Sequence, residues 1–199
     1  MEPENMTKTP STKLPPISPK PLIATLSLAG CFGCHMSLLD IDLKLLELIQ
    51  KVTLYRSPLT DIKSFGQDCD IGLVEGGCCN SENVHQLKEF RKHCKILISV
   101  GECAIMGGLP AMRNNQVSLQ ECLEEVYLRL PSNFSEDQQI PQDPELPKIL
   151  DKVYPCHQIV KMDYFLPGCP PRAGLIWKVL EALIEGKACE IPYDLIKYD

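Results

Sequence analysis

A chain of 199 residues, 44% of them hydrophobic, is long enough for one domain with a real core, since chains of this size bury roughly 70% of the surface their unfolded form exposes. A formal net charge of -6 with scattered basic residues argues against a nucleic-acid partner, and no apolar run approaches the ~18 residues of a membrane helix. Eleven cysteines would suggest disulfides in a secreted chain, but Met1 to Lys20 holds neither an apolar signal core nor twin arginines, so the expectation is a cytoplasmic protein with reduced thiols available for metal.

Residues 1–21 carry six prolines and little apolar content, which predicts a flexible or extended tail. Leu22 to Ala29 is a continuous apolar run of strand length ending at Gly30, the pattern of a strand covered on both faces. Ser37 with Asp40 reads as a capping box opening a helix to about Lys51, with Leu39, Leu43, Leu46 and Ile49 on one stripe and Leu38, Ile41, Leu45 and Leu48 widening it. Val52–Tyr55 and Ile71–Val74 read as the second and third strands. A helix from about Ser81 turns Val84, Leu87 and Phe90 inward, and Lys95–Val100 is the fourth strand.

Beyond it, Gly107, Gly108 and Pro110 mark an irregular loop, and Ser118 with Glu121 predicts a second capping box before Leu119, Cys122, Leu123, Val126 and Leu130. Pro131 to Pro147 reads as a surface excursion, and Gln158–Phe165 as a fifth strand. The last helix, from about Arg172 to Glu185, turns Leu175, Ile176, Val179, Leu180 and Leu183 inward and stops at Gly186. Alternating strands and helices predict an α/β fold: an open, mostly parallel sheet with helices on both faces. The domain is expected to span 22–187, followed by a C-terminal tail, 188–199.

In such sheets the loops after the strands emerge at one edge, where ligands bind. Cys31 and Cys34, Cys78 and Cys79, Cys103, and Cys169 all follow predicted strands. A close CxxC pair with two distant single cysteines supplies four thiolates, as a 4Fe-4S cluster requires; Cys31, Cys34, Cys103 and Cys169 are the candidate metal ligands. A thioredoxin-like dithiol would have no need of Cys103 or Cys169. Zinc sites usually bring a second close pair of ligands. Cys78 and Cys79 compete for a ligand role; Cys69, Cys94, Cys122, Cys156 and Cys189 read as filler or surface thiols. Glu75 and Glu102 read as solvated loop carboxylates, with tuning of a cluster or proton passage as the other reading. His35 either hydrogen-bonds a cluster or partner, or simply begins a helix. His85, His93 and His157 show no ligand spacing, and no phosphate-binding glycine loop is present.

The stretches Ala29-Gly-Cys-Phe-Gly-Cys-His-Met-Ser37, Val74-Glu-Gly-Gly-Cys-Cys-Asn-Ser-Glu-Asn83, Gly101-Glu-Cys-Ala-Ile-Met-Gly-Gly-Leu-Pro110 and Leu166-Pro-Gly-Cys-Pro-Pro171 closely resemble the small subunit of nickel-iron hydrogenases, in particular the cytoplasmic, NAD-linked bidirectional type. The resemblance spans roughly Leu22 to Lys187 and extends to the related 20-kDa subunit of NADH:ubiquinone oxidoreductase, in which a tandem cysteine pair stands where this chain has Cys31-Phe-Gly-Cys34. It implies a flavodoxin-like fold and one proximal 4Fe-4S cluster on the four candidate cysteines. It also implies electron relay between the nickel-iron site of a partner large subunit and a diaphorase module of flavin- and cluster-containing subunits. No catalytic residue is expected here. FMN in this subunit rests on fold analogy alone. The competing readings are an electron-transfer subunit of another hydrogenase-like or complex I-like oxidoreductase, and a zinc-stabilised interaction module.

Overall fold

The computed structural model describes residues 15–115, 117–131, 138–187 and 191. A five-stranded parallel sheet runs in the order β2 (Thr53–Leu54), β1 (Leu22–Ser27), β3 (Cys69–Glu75), β5 (Cys94–Val100) and β7 (Tyr164–Leu166). Crossing from β2 past β1 to β3 puts the topological switch point between β1 and β3, as in the flavodoxin-like order. Every residue of β3 is buried, because the central strand is covered on both faces.

On one face lie α1 (Gly33–Leu39), α2 (Lys44–Lys51) and α6 (Ala173–Ile184), which close a core of Ile23, Ile71, Ile96 and Ile98 with Leu38, Leu48, Ile176 and Leu180. On the other lies α3 (Ser81–His93), whose Leu87 and Phe90 are fully buried against Ala24, Val74 and Leu97. Asn80 caps α3 by accepting from the Asn83 N–H, and Arg91, Lys92 and His93 complement its C-terminal dipole. All five inward residues expected on α6 are buried. Gly186, at φ 68, ends α6 in a paired stop, its N–H bonding Leu183 O and that of Lys187 bonding Ala182 O.

Three expectations are corrected. The helix expected from Ser37 to Lys51 is two helices, broken at Asp42, which takes a left-handed φ of 58. Ser37 caps nothing; inside α1, its hydroxyl donates to Pro171 O and fastens α1 to the start of α6. The break rephases the leucines, so Leu38, Ile41 and Leu48 face the core while Leu43, Leu46 and Ile49 are 76%, 58% and 50% exposed. The fifth strand shortens to Tyr164–Leu166 because the Asp163 carboxylate accepts from the Leu97 N–H and binds Arg91 at the point where strand pairing would extend. A small second sheet was not anticipated: β4 (Cys78–Asn80) pairs antiparallel with β6 (Ile149–Tyr154), just after the polar 131–147 stretch.

The capping box at Ser118 and Glu121 is present on α5 (Leu119–Glu124), which continues as a wider turn through Arg129; none of its residues is fully buried. From the N-terminal stretch, Ile17 packs on the core and Ser18 binds Asp70. The buried Asp70 carboxylate also accepts from Leu22 N (2.9 Å) and Lys95 Nζ (2.8 Å). Burial alone would raise its pKa, but the bonds from Lys95, Ser18 and Leu22 hold it below the ordinary value. A depressed pKa stabilises the fold above the unfolded value and is lost as pH falls through the folded one. Asp70→Asn is therefore expected to cost about 1–2 kcal/mol at neutral pH, with the gap from the parent closing only as pH falls below the ordinary aspartate range, as followed by urea unfolding at several pH values.

Candidate metal centre

The loops leaving β1, β3, β5 and β7 are fastened together at one edge of the sheet. Ala29 and Gly77 exchange both backbone bonds, joining the loops after β1 and β3. Gly101 N bonds Leu166 O, Glu102 N bonds Gly168 O, and the Glu102 carboxylate accepts from Gly168 N, joining the loops after β5 and β7. Cys31 lies beyond β1, Cys34 in the first turn of α1, Cys103 in the first turn of α4 (Glu102–Met106) and Cys169 before α6. The fold thus gathers all four candidate ligands from three loops. Cys103 and Cys31 lie within electrostatic reach of Cys34, and Cys169 and Cys31 within reach of Cys103.

Cys31 and Cys169 are exposed, whereas Cys34 and Cys103 are half-buried. Burial first, and then the neighbouring Glu75, push the Cys34 thiol well above its ordinary pKa. Burial also raises Cys103, against a Leu109 N–H that donates to its sulfur. With their pKa values raised, Cys34 and Cys103 keep their protons as bare thiols, and binding a metal would release them. Among the described residues no three His, Cys, Asp or Glu side chains converge closely enough to hold a single metal ion. Backbone glycines border the Cys34 and Cys103 sulfurs. Close backbone leaves them room: a Cβ on Gly101 would stand 2.4 Å from Cys34 Sγ, and one on Gly108 2.8 Å from Cys103 Sγ.

The CxxC loop is shaped by an unusual residue. Phe32 holds φ 67, ψ 8, a left-handed conformation rare for an aromatic, and its ring stacks on His35 at 4.6 Å. His35 in turn donates from Nδ1 to Glu75, and its Nε2 pairs with Thr25 Oγ1. Neither Glu75 nor Glu102 is solvated, contrary to the sequence expectation: they are 4% and 8% exposed. Glu75 ends β3, and Glu102 Oε2 is buried with no partner among the described residues. The signal available in sequence was a glutamate bounded by glycine at the end of an apolar strand, twice, at the edge that carries the cysteines.

A family model described as NADH ubiquinone oxidoreductase, 20 Kd subunit, matches residues 31–183. The chain belongs to that family. It is 49% identical over 178 residues to the NAD-reducing hydrogenase HoxS subunit delta of Cupriavidus necator, covering 89% of this chain and 85% of that one. It is 34% identical over 176 residues to a subunit of the F420-non-reducing hydrogenase vhu of Methanococcus voltae, covering 87% of this chain but only 60% of the methanogen protein. A chain in the crystal structure of an NAD+-reducing [NiFe]-hydrogenase in the H2-reduced state superposes with a TM-score of 0.86 at 50% identity, covering 90% of this chain and 99% of that one. A Ni-Fe-Se hydrogenase of Desulfomicrobium baculatum, at 15% identity and a TM-score of 0.54, shares the fold.

Within this member of the 20-kDa-subunit family the other cysteines have separate partners. Cys78 is fully buried and shares a hydrogen bond with Cys156, which pulls Cys78 down and pushes Cys156 up; Cys156 Sγ also reaches Gly76 O. The Cys79 sulfur and N–H both bond Asn83 Oδ1. Cys69 and Cys94 are register partners on β3 and β5 and lie in the core, Cys122 is half-buried, and Cys189 lies outside the described residues. Cys78→Ala is accordingly expected to leave iron content unchanged while costing about 1–2 kcal/mol of stability, read by iron analysis beside a thermal melt.

Proposed function

We propose that this chain is the iron-sulfur small subunit of an NAD-linked nickel-iron hydrogenase. Its 22–187 domain would relay electrons between the nickel-iron site of a partner large subunit and a diaphorase module. The observation that carries this reading is the gathering of Cys31, Cys34, Cys103 and Cys169 at one sheet edge, in a chain nearly half identical to the delta subunit of an NAD-reducing hydrogenase. These four residues would hold one 4Fe-4S cluster, which supplies one-electron storage when bound. The chain's own residues do the rest. Gly101 and Gly108 keep backbone close without crowding sulfur, the Leu109 N–H donates to Cys103, and Glu102 ties the Cys103 turn to the loop that carries Cys169.

Exposed thiols at Cys31 and Cys169 call for cover. Apolar side chains close to the ligands in sequence are exposed: Met36 at 51%, Met106 at 57% and Leu109 at 73%. A large subunit seated there would bury them and exclude water from the sulfurs. FMN does not fit the arrangement after β1: the Cys34 and His35 N–H groups that would meet a phosphate there are held by the Glu75 carboxylate. No step is assigned to a flavin in this chain.

The test is anaerobic purification of the tagged chain with its partners. About four iron and four sulfide per chain, a nickel-containing companion and hydrogen-driven NAD+ reduction are expected. Stoichiometric zinc without sulfide would leave a structural module instead. Electrons delivered only to another acceptor would move the chain to a different hydrogenase type.

A further inference from the structure

Glu75 is the most heavily bonded carboxylate beside the metal centre. Its Oε1 accepts from Ser27 Oγ and His35 Nδ1, both at 2.8 Å, and its Oε2 accepts from the backbone N–H groups of Cys34 (2.9 Å) and His35 (3.2 Å). Four donors from β1 and α1 thus meet on one side chain of β3. The void beside it, lined by Thr25, Cys34, His35 and Glu75 among others, holds about 10 Å³, at the lower limit for one water. Protein groups satisfy both oxygens of this carboxylate.

We infer that Glu75 is a positioning residue of the metal centre, holding the Cys31–Cys34 loop in its ligand conformation and withholding the Cys34 and His35 amides from the cluster sulfurs. The inference rests on the proposed ligation by Cys34. A left-handed Phe32 persists only where its surroundings over-determine it, and the bonds to the two residues after Gly33, with the Phe32–His35 stack, provide that constraint. An amide aimed at a carboxylate does not donate to sulfur. Hydrogen bonds to cluster sulfurs stabilise the reduced, more negative state and raise the potential, so diverting two of them, beside a buried carboxylate, keeps the potential low.

The experiment compares Glu75→Gln and Glu75→Ala with the parent, each co-purified anaerobically with the large subunit, reading iron and sulfide per chain and the midpoint potential by EPR-monitored titration. Glutamine keeps an amide oxygen for the two N–H groups, so that variant is expected to retain its iron and shift the midpoint upward. Alanine releases both amides and is expected to lose at least half the iron, or to keep it with a larger upward shift. Iron lost from either variant that still binds the large subunit supports the holding role. Full iron with an unchanged or lowered midpoint in the glutamine variant overturns the inference, and this variant decides alone if the alanine chain does not fold. A parent that carries no iron or sulfide would instead strike at the ligation itself.

Discussion

Replacing Cys103 by serine is expected to strip the chain of most of its iron and sulfide and to abolish hydrogen-driven NAD+ reduction by the complex. Serine offers a hard hydroxyl in place of a soft thiolate and would leave one corner of the proposed four-iron core without its sulfur ligand. Changes to outer-shell partners of metal ligands already cost about 10- to 100-fold in affinity or activity, so losing a ligand should cost more than about 100-fold. The fold should survive: Cys103 is half-buried on a five-residue helix, outside both hydrophobic clusters. Parallel metal analysis, turnover and circular dichroism separate the two effects. A serine variant with full iron and parental turnover would remove Cys103 from the ligand set.

Gly101→Ala should disable the same centre without touching a cysteine. Gly101 links β5 to α4 at φ +81, where a Cβ would stand 2.4 Å from Cys34 Sγ and 3.3 Å from Gly168 O. The added methyl strains the backbone by about 1–2 kcal/mol and also takes the space of the Cys34 sulfur, a proposed ligand. Lost iron and a lowered melting temperature are the expected pair of results. Gly186→Ala provides the control, because Gly186 also has a positive φ, +68, but nothing lies within 4 Å of its would-be Cβ. That variant should lose about 1 kcal/mol and no iron. If both alanine variants kept full iron, close approach at Gly101 would not matter to the centre.

The mostly parallel sheet, the inward faces of α3 and α6 and the edge at which the cysteines emerge were legible from the sequence, because continuous apolar runs and helical periodicity are local consequences of what each segment must bury; the order of the strands and the central place of β3 came only with the structure. The Asp42 break was not legible, since leucines occupy both possible stripes between positions 38 and 49 and periodicity could not choose between them. Nor was the pairing of β4 with β6, whose residues lie far apart in the chain.

The environment of each polar or sulfur group was decided only by the tertiary structure. A glutamate after a strand is solvated by default, and Glu75 is buried because Ser27, Cys34 and His35 bring four donors to it from other elements. Cys78 stands at the same edge as the candidate ligands, yet its sulfur turns to Cys156, which only the chain's return near β6 brings within reach. Residue type and spacing determined which atoms were available for metal. The long-range contacts determined which of them are taken by other partners, because hydrogen-bond partners and buried charges are chosen by the assembled fold and not by neighbours along the chain.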